Sequence, residues 1–146
     1  MKWYEADKRR LLLEHEKVKS KYPQFKLDIY KDCLAWEGEI HFDSKDKEFI
    51  PLKVRIICDD SYPISPPKVF PIEPKIPDKL WGHEWHRWEE GNICYVNPKN
   101  WNINYYIVDI ISKVQVWYIN FLLYAFKEID KMPDIGIANI PDKGGD

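Results

Sequence analysis

Several features that would commit the 146-residue chain to a particular class are missing or scarce. Its 22 basic and 24 acidic side chains leave a formal charge of −2, so no excess of one sign marks it for nucleic acid or an anionic membrane. The three cysteines, Cys33, Cys58 and Cys94, are an odd number at wide spacing, and no Cys-x2-Cys pair announces a zinc site. The opening "MKWYEADKRRLLLEHEK" lacks the apolar core and small-residue cleavage site of a secretory leader. A reducing, cytoplasmic setting with free thiols is therefore expected. The longest apolar run, "VQVWYINFLLYAF" at 114–126, falls short of the roughly 20 residues a membrane span needs and is bounded by Lys113 and Lys127. It is expected to form a buried core helix. No internal repeat and no interdomain linker is present.

The apolar share of 45% with 32% charged residues is ordinary for one soluble domain with its own core. Residues 1–130 are expected to form that domain, with 131–146 a tail in which recurring Pro and Gly oppose regular structure. Residues 2–20 mix Lys, Arg and Glu with Leu11, Leu12, Leu13 and Val18, which predicts a helix ended by Pro23. Three extended segments follow: "FKLDIYKD" from Phe25, "CLAWEGEIHF" from Cys33 and "FIPLKVRIIC" from Phe49. In the first, Phe25, Leu27 and Ile29 alternate with polar neighbours, the period of a half-buried strand. Residues 59–82 carry six prolines, which predicts a route across the surface with at most a short edge strand at 68–70. A loop from Trp81 to Trp101 holds Cys94, and a helix from about 106 to 127 follows. Helix, strand meander, long loop, helix is an α+β order, with helices on one face of the sheet.

Chemistry concentrates in "HEWHRWEEGNICYVNPKNW", residues 83–101. Gly91 lets the chain turn tightly three residues before Cys94. A nucleophilic cysteine needs exposure and nearby donors or positive charge, which His83, His86 and Arg87 are near enough in sequence to supply. His-x2-His-x7-Cys with Cys58 as a fourth ligand would make a structural zinc site, although the usual short-spaced pairs are missing. A papain-like protease fits poorly, because the histidines precede the cysteine and the chain is short for two walls of a cleft. Spacing alone leaves Cys94 open between nucleophile, ligand and inert core residue. His15, His41, Cys33 and Cys58 read as surface or core residues. Trp81, Trp85, Trp88 and Trp101 are expected to pack in the core or the loop.

Two separated motifs resemble those of ubiquitin-conjugating enzymes. "SYPISPPKVF", with Tyr62, Pro63, Pro66, Pro67 and Val69, is similar to their Tyr-Pro-x-x-Pro-Pro-x-Val segment. "GNICY", residues 91–95, is similar to the Gly-x-Ile-Cys-Leu segment that holds their thioester-forming cysteine. Trp101 is similar in type and approximate place to the tryptophan beyond that cysteine, and "IISKVQVWYINFLL" resembles the central helix. The resemblance covers roughly residues 1–127 and implies the ubiquitin-conjugating fold: an N-terminal helix, a four-stranded antiparallel meander, a long cysteine loop and a central helix. By this resemblance the chain is expected to do without the family's last two helices, and with them the acidic residues that hold the incoming amine. Glu89, Glu90, Asn97, Asn100, Asn102 and Asn104 are candidates to replace them, though loop-forming suits them better.

By this resemblance Cys94 is the thioester-forming residue, and His86 falls where the family has the Asn of its His-Pro-Asn motif. His83, Gly91, Asn92, Asn97 and Trp101 are implied as support for the catalytic loop, and Tyr62, Pro63, Pro66 and Pro67 as a structural motif. No metal and no organic cofactor is implied. The implied partners are an ATP-dependent activating enzyme, a ubiquitin-like or other glycine-ending acyl donor, and a target protein, a nucleotidyltransferase being one candidate. Neither nucleic acid nor membrane is an expected partner. Shortened relatives with a histidine at this place resemble the conjugating-like proteins of bacterial antiphage operons. The alternatives are a non-catalytic binding module on the same fold and the zinc-binding structural protein. Gly144-Gly145 near the end is expected to belong to a flexible tail, the other reading being a ubiquitin-like precursor.

Overall fold

Asp7 interrupts the N-terminal helix that composition alone would run unbroken from residue 2 to residue 20. In the computed structural model, which describes residues 1–42 and 50–133, α1 spans Trp3–Ala6 and α2 spans Lys8–Lys21. The Asp7 side chain accepts a hydrogen bond from Arg10 N at 3.0 Å and so caps α2. A cap has overridden helix propensity at this position. The buried stripe of α2 is Arg10, Glu14 and Val18, one residue per turn and two of the three charged.

Four strands follow: β1 Lys26–Tyr30, β2 Cys33–Ile40, β3 Leu52–Cys58 and β4 Lys68–Glu73. They pair antiparallel in chain order, β1-β2-β3-β4. Lys31 and Asp32, both at positive φ (49° and 67°), make the two-residue hairpin between β1 and β2. Period two puts Leu34, Trp36, Gly38 and Ile40 of β2 and Leu52, Val54, Ile56 and Cys58 of β3 on one buried face. Gly38 is required there, because a Cβ would lie 2.6 Å from the Phe25 ring. The alternation expected in β1 fades along the strand: Phe25 is buried, but Ile29 is 54% exposed at the hairpin end. β4 is longer than the expected 68–70. It runs on through Pro71 to Glu73, which an edge strand with a register shift opposite Lys53 and Val54 tolerates.

Helix α3, Ile107–Ala125, crosses the apolar face of the sheet beside α2. By length and apolarity alone it would serve as a membrane span. Its Ile107, Ile110, Ile111, Val114, Trp117, Tyr118 and Phe121 are instead buried in the core, as the sequence suggested. Burial of each such side chain contributes about 1.5–3 kcal/mol, which makes this stripe a main anchor of the fold. The architecture is α+β, with no further helix after α3 among the described residues. Gly144-Gly145 lies outside them.

A buried polar cluster joins these layers. Glu14, fully buried, accepts from Ile107 N at 2.8 Å, from Arg10 Nε at 3.0 Å and from the Tyr62 hydroxyl. Arg10 also donates to the carbonyls of Ile103 and Tyr105. One carboxylate thus holds α2, the start of α3 and the Tyr-Pro segment in register.

Candidate active site

Local backbone geometry builds the cysteine loop. Gly82 and Arg87 exchange backbone hydrogen bonds (2.8 and 3.4 Å) around a 3₁₀ turn, His83–Trp85, and His86 leaves that turn in the left-handed conformation (φ 50°, ψ 48°). Cys94 N then donates to His86 O at 2.9 Å, while Ile93 N donates to Val69 O of β4 at 2.8 Å. The Tyr95 hydroxyl bonds Pro67 O within the proline motif. The residues flanking the thiol are therefore stitched to the sheet edge on one side and to the histidine turn on the other.

Gly91 sits at φ 99°, and a Cβ there would meet Arg87 Nη2 at 2.9 Å. The Arg87 guanidinium is committed to three carbonyls, Gly91 at 3.0 Å, Leu80 at 2.8 Å and Pro77 at 3.3 Å. Its burial pushes its pKa below the usual arginine value. The expectation that Arg87 supplies charge to Cys94 is corrected here: proximity in sequence did not fix direction, and its side chain clamps the loop instead. It lines a separate cavity of about 530 Å³ on the outer face of the sheet with Tyr30, Arg55, Lys68 and Phe70. No Cys or His lines that larger cavity.

Cys94 faces a smaller cavity of about 160 Å³ with His86, Tyr95, Lys113, Trp117, Asn120 and Met132 around it. Both Cys94 and His86 are only 1% exposed. The thiol donates to Val96 O at 3.7 Å. His86 Nε2 lies 3.4 Å from Met132 O, and since a carbonyl oxygen only accepts, Nε2 carries the hydrogen of that contact. The His83 ring meets His86 edge-on at 5.3 Å. Trp117 Nε1 donates to both Trp85 O and His86 O at 3.1 Å, so α3 holds the histidine turn directly. Lys113, Val116, Trp117 and Asn120 fall at i, i+3, i+4 and i+7 and line one side of the cavity. None of the four was expected at the site: Lys113 was read as the edge of the apolar run and the other three as part of its core, although their spacing was the available signal.

The remaining expected residues shape the loop. Asn92 is buried; its carbonyl accepts from Trp88 N at 2.9 Å, and its Oδ1 has no hydrogen-bond partner. Asn97 caps a 3₁₀ turn, Pro98–Asn100, by accepting from Lys99 N at 3.0 Å. Trp101 donates to Pro63 O at 2.9 Å and stacks on Tyr105, tying the cysteine loop to the proline motif away from the thiol. Tyr62 reaches Glu14, and Pro67 receives Tyr95, so that motif acts as a brace; Pro66 lies half-buried between them. Trp81, Trp85, Trp88 and Trp101 are all half-buried, Trp85 packing on Phe121 and Tyr124. Glu90 pairs with Lys68 at 2.9 Å, and Asn102 accepts from Asn104 N at 2.8 Å.

The zinc alternative finds no support: among the described residues no three His, Cys, Asp or Glu side chains cluster as ligands. Cys58 lies in the core beneath the sheet, where burial pushes its thiol well above the ordinary value. All three cysteines are free thiols.

No curated protein matches the chain. A crystal structure titled ubiquitin conjugating enzyme E2 UbcA1, from Agrocybe aegerita, is similar with a TM-score of 0.48 at 17% identity, covering 91% of this chain and 86% of that one. Residues 14–130 match the family model E2-CBASS, described as type II CBASS E2 protein. That span takes in the second half of α2, the whole sheet, the cysteine loop and α3, and the chain therefore belongs to this family of conjugating-enzyme-like proteins of antiphage operons.

Proposed function

We propose that Cys94 carries the C-terminal acyl group of a ubiquitin-like or other glycine-ending protein as a thioester and passes it to an amine of a target. The observation that carries this reading is the convergence of Cys94 and His86 on one cavity, fixed by the Cys94 N to His86 O bond of 2.9 Å. In the first step the Cys94 thiolate attacks the donor's thioester carbonyl on an activating enzyme. A new C–S bond forms, and the partner's thiolate leaves and takes up a proton. ATP is consumed upstream by that partner. In the second step the target amine attacks the Cys94 thioester, the amide C–N bond forms, Cys94 departs as thiolate and the amine's surplus proton passes to solvent.

The developing oxyanion needs a hydrogen-bond donor. His86 Nε2–H already points at a carbonyl oxygen in this cavity and takes that role in place of the family's asparagine. His83, Gly91, Asn92, Asn97 and Trp101 shape the loop, and Tyr62, Pro63, Pro66 and Pro67 brace it. None of these steps needs a metal or an organic cofactor. The setting is the cytoplasm, where thiols stay reduced. The target is a protein of the same defence system, with a nucleotidyltransferase as first candidate, and neither nucleic acid nor membrane enters the reaction.

The test is incubation with the activating enzyme, candidate donor and ATP. Wild-type protein should form a thiol-sensitive adduct, Cys94→Ser a thiol-resistant ester and Cys94→Ala none. The second reading, a binding module without catalysis, draws on the near-complete burial of Cys94. It replaces the first if no operon-encoded donor ever forms the adduct.

A further inference from the structure

A thiol that is 1% exposed cannot receive an acyl group from a second protein, so the cavity must open on at least one side. Three of its walls are fixed. Lys113, Val116, Trp117 and Asn120 belong to α3, whose buried stripe anchors the core. His86 is held by Trp117 and by Cys94 N. Tyr95 is tied to Pro67. The fourth wall is Met132 with Pro133, beyond the end of α3.

That wall is attached differently from the others. The last backbone bonds after α3 are Lys127 N to Tyr124 O and Glu128 N to Leu123 O. Among the described residues, the backbone of 129–133 makes a single hydrogen bond, in which Met132 O accepts from His86 Nε2 at 3.4 Å. Met132 is nonetheless only 4% exposed, with its side chain packed into the core cluster. A segment with one backbone tie and one buried side chain can leave at far lower cost than a helix or a strand.

We propose that residues 129–133 are a built-in occupant of the acyl site, in which the Met132 backbone carbonyl takes the His86 hydrogen bond meant for the acyl carbonyl and the Met132 side chain covers Cys94. Donor and segment then compete for one place, and charging of Cys94 requires the segment to swing out. This rests on the proposed thioester role of Cys94 only for its purpose, not for its geometry. The cover keeps an uncharged thiol from oxidants and stray electrophiles, and gives the activating enzyme a segment to displace.

The test measures access to sulfur without any acyl donor. Full-length wild type, Met132→Gly and Met132→Leu are treated with N-ethylmaleimide, and labelling of each cysteine is followed by peptide mass spectrometry. Met132→Gly should label at Cys94 on the order of tenfold or more faster than wild type, the factor expected when most of one apolar side chain's burial is lost. Met132→Leu, which restores an apolar cover, should label near the wild-type rate. Cys58, 1% exposed in the core, reports on folding and should stay unlabelled throughout. Equal Cys94 rates in wild type and Met132→Gly would overturn the proposal, as would acceleration at Cys58 in step with Cys94. Fast labelling of Met132→Gly with no adduct from any donor would leave the cover standing and remove the thioester reading instead.

Discussion

Replacing Glu14 with Gln should be among the most destabilising single changes in this protein, although it alters one atom of a residue that does not line the Cys94 cavity. Glu14 is 0% exposed, and its carboxylate serves Arg10, the Tyr62 hydroxyl and Ile107 N together. Burial pushes the Glu14 pKa above the ordinary range, and the three donors only partly pull it back. The intact ion pair therefore gains little over an apolar pair, but removing one charge strands Arg10, itself 7% exposed. Breaking a buried pair in this way costs about 3–5 kcal/mol, against a total stability of about 5–15 kcal/mol. Urea unfolding followed by tryptophan fluorescence should show a midpoint lower by about 2 M with an unchanged slope. The Arg10→Met background supplies the decisive comparison. There Glu14 is the stranded charge, and Glu14→Gln should be neutral or stabilising. An equal cost of Glu14→Gln in both backgrounds would refute the electrostatic reasoning and leave only packing.

Gly91→Ala forces a Cβ into positive φ and onto Arg87 Nη2, while the bonds of the same guanidinium through Nε and Nη1 to three carbonyls keep it from retreating. A penalty of about 1–3 kcal/mol should lower the thermal midpoint by about 3–10 °C in differential scanning calorimetry. Partial burial disfavours the ionised form of Asp59, but hydrogen bonds from Ser61 and Ser65 outweigh it and hold its pKa below the carboxylate range. A lowered folded pKa gives stability that is present above the unfolded value near 4 and is lost as pH falls through the folded one. Asp59→Asn should thus be less stable than wild type at neutral pH, with the gap in urea midpoint closing in acid; a gap independent of pH would contradict the assignment. His86→Ala should slow transfer from a preformed Cys94 thioester to a small amine by about 10²–10³-fold, while His86→Asn, which suits the left-handed backbone and keeps an N–H donor, should lose less. Wild-type transfer by His86→Ala in a single-turnover assay would remove His86 from the chemistry.

Which parts of this molecule were legible in sequence follows from the range of the forces involved. Strand periodicity, the helix stop at Pro23 and the proline-rich crossing are written in near neighbours, and the element order followed from them. Asp7 shows the limit of that reading, because a single capping carboxylate broke a helix whose composition favoured continuity. Arg87 shows a second limit: a side chain a few residues from Cys94 in the chain turned to the carbonyls of Gly91, Leu80 and Pro77, whereas Trp117, far along the chain, grips the histidine turn. The helical spacing of Lys113, Val116, Trp117 and Asn120 was visible, but which face of α3 meets the cysteine is decided by packing against the sheet. Burial of Cys94 was least legible of all, since Met132 comes from a stretch whose composition suggested only a tail. That burial alters what Cys94 needs in order to react. Favourable local surroundings suffice for an exposed thiol, but under the proposed thioester role a covered one also needs a partner able to displace Met132, which would couple the choice of partner to the chemistry at this residue.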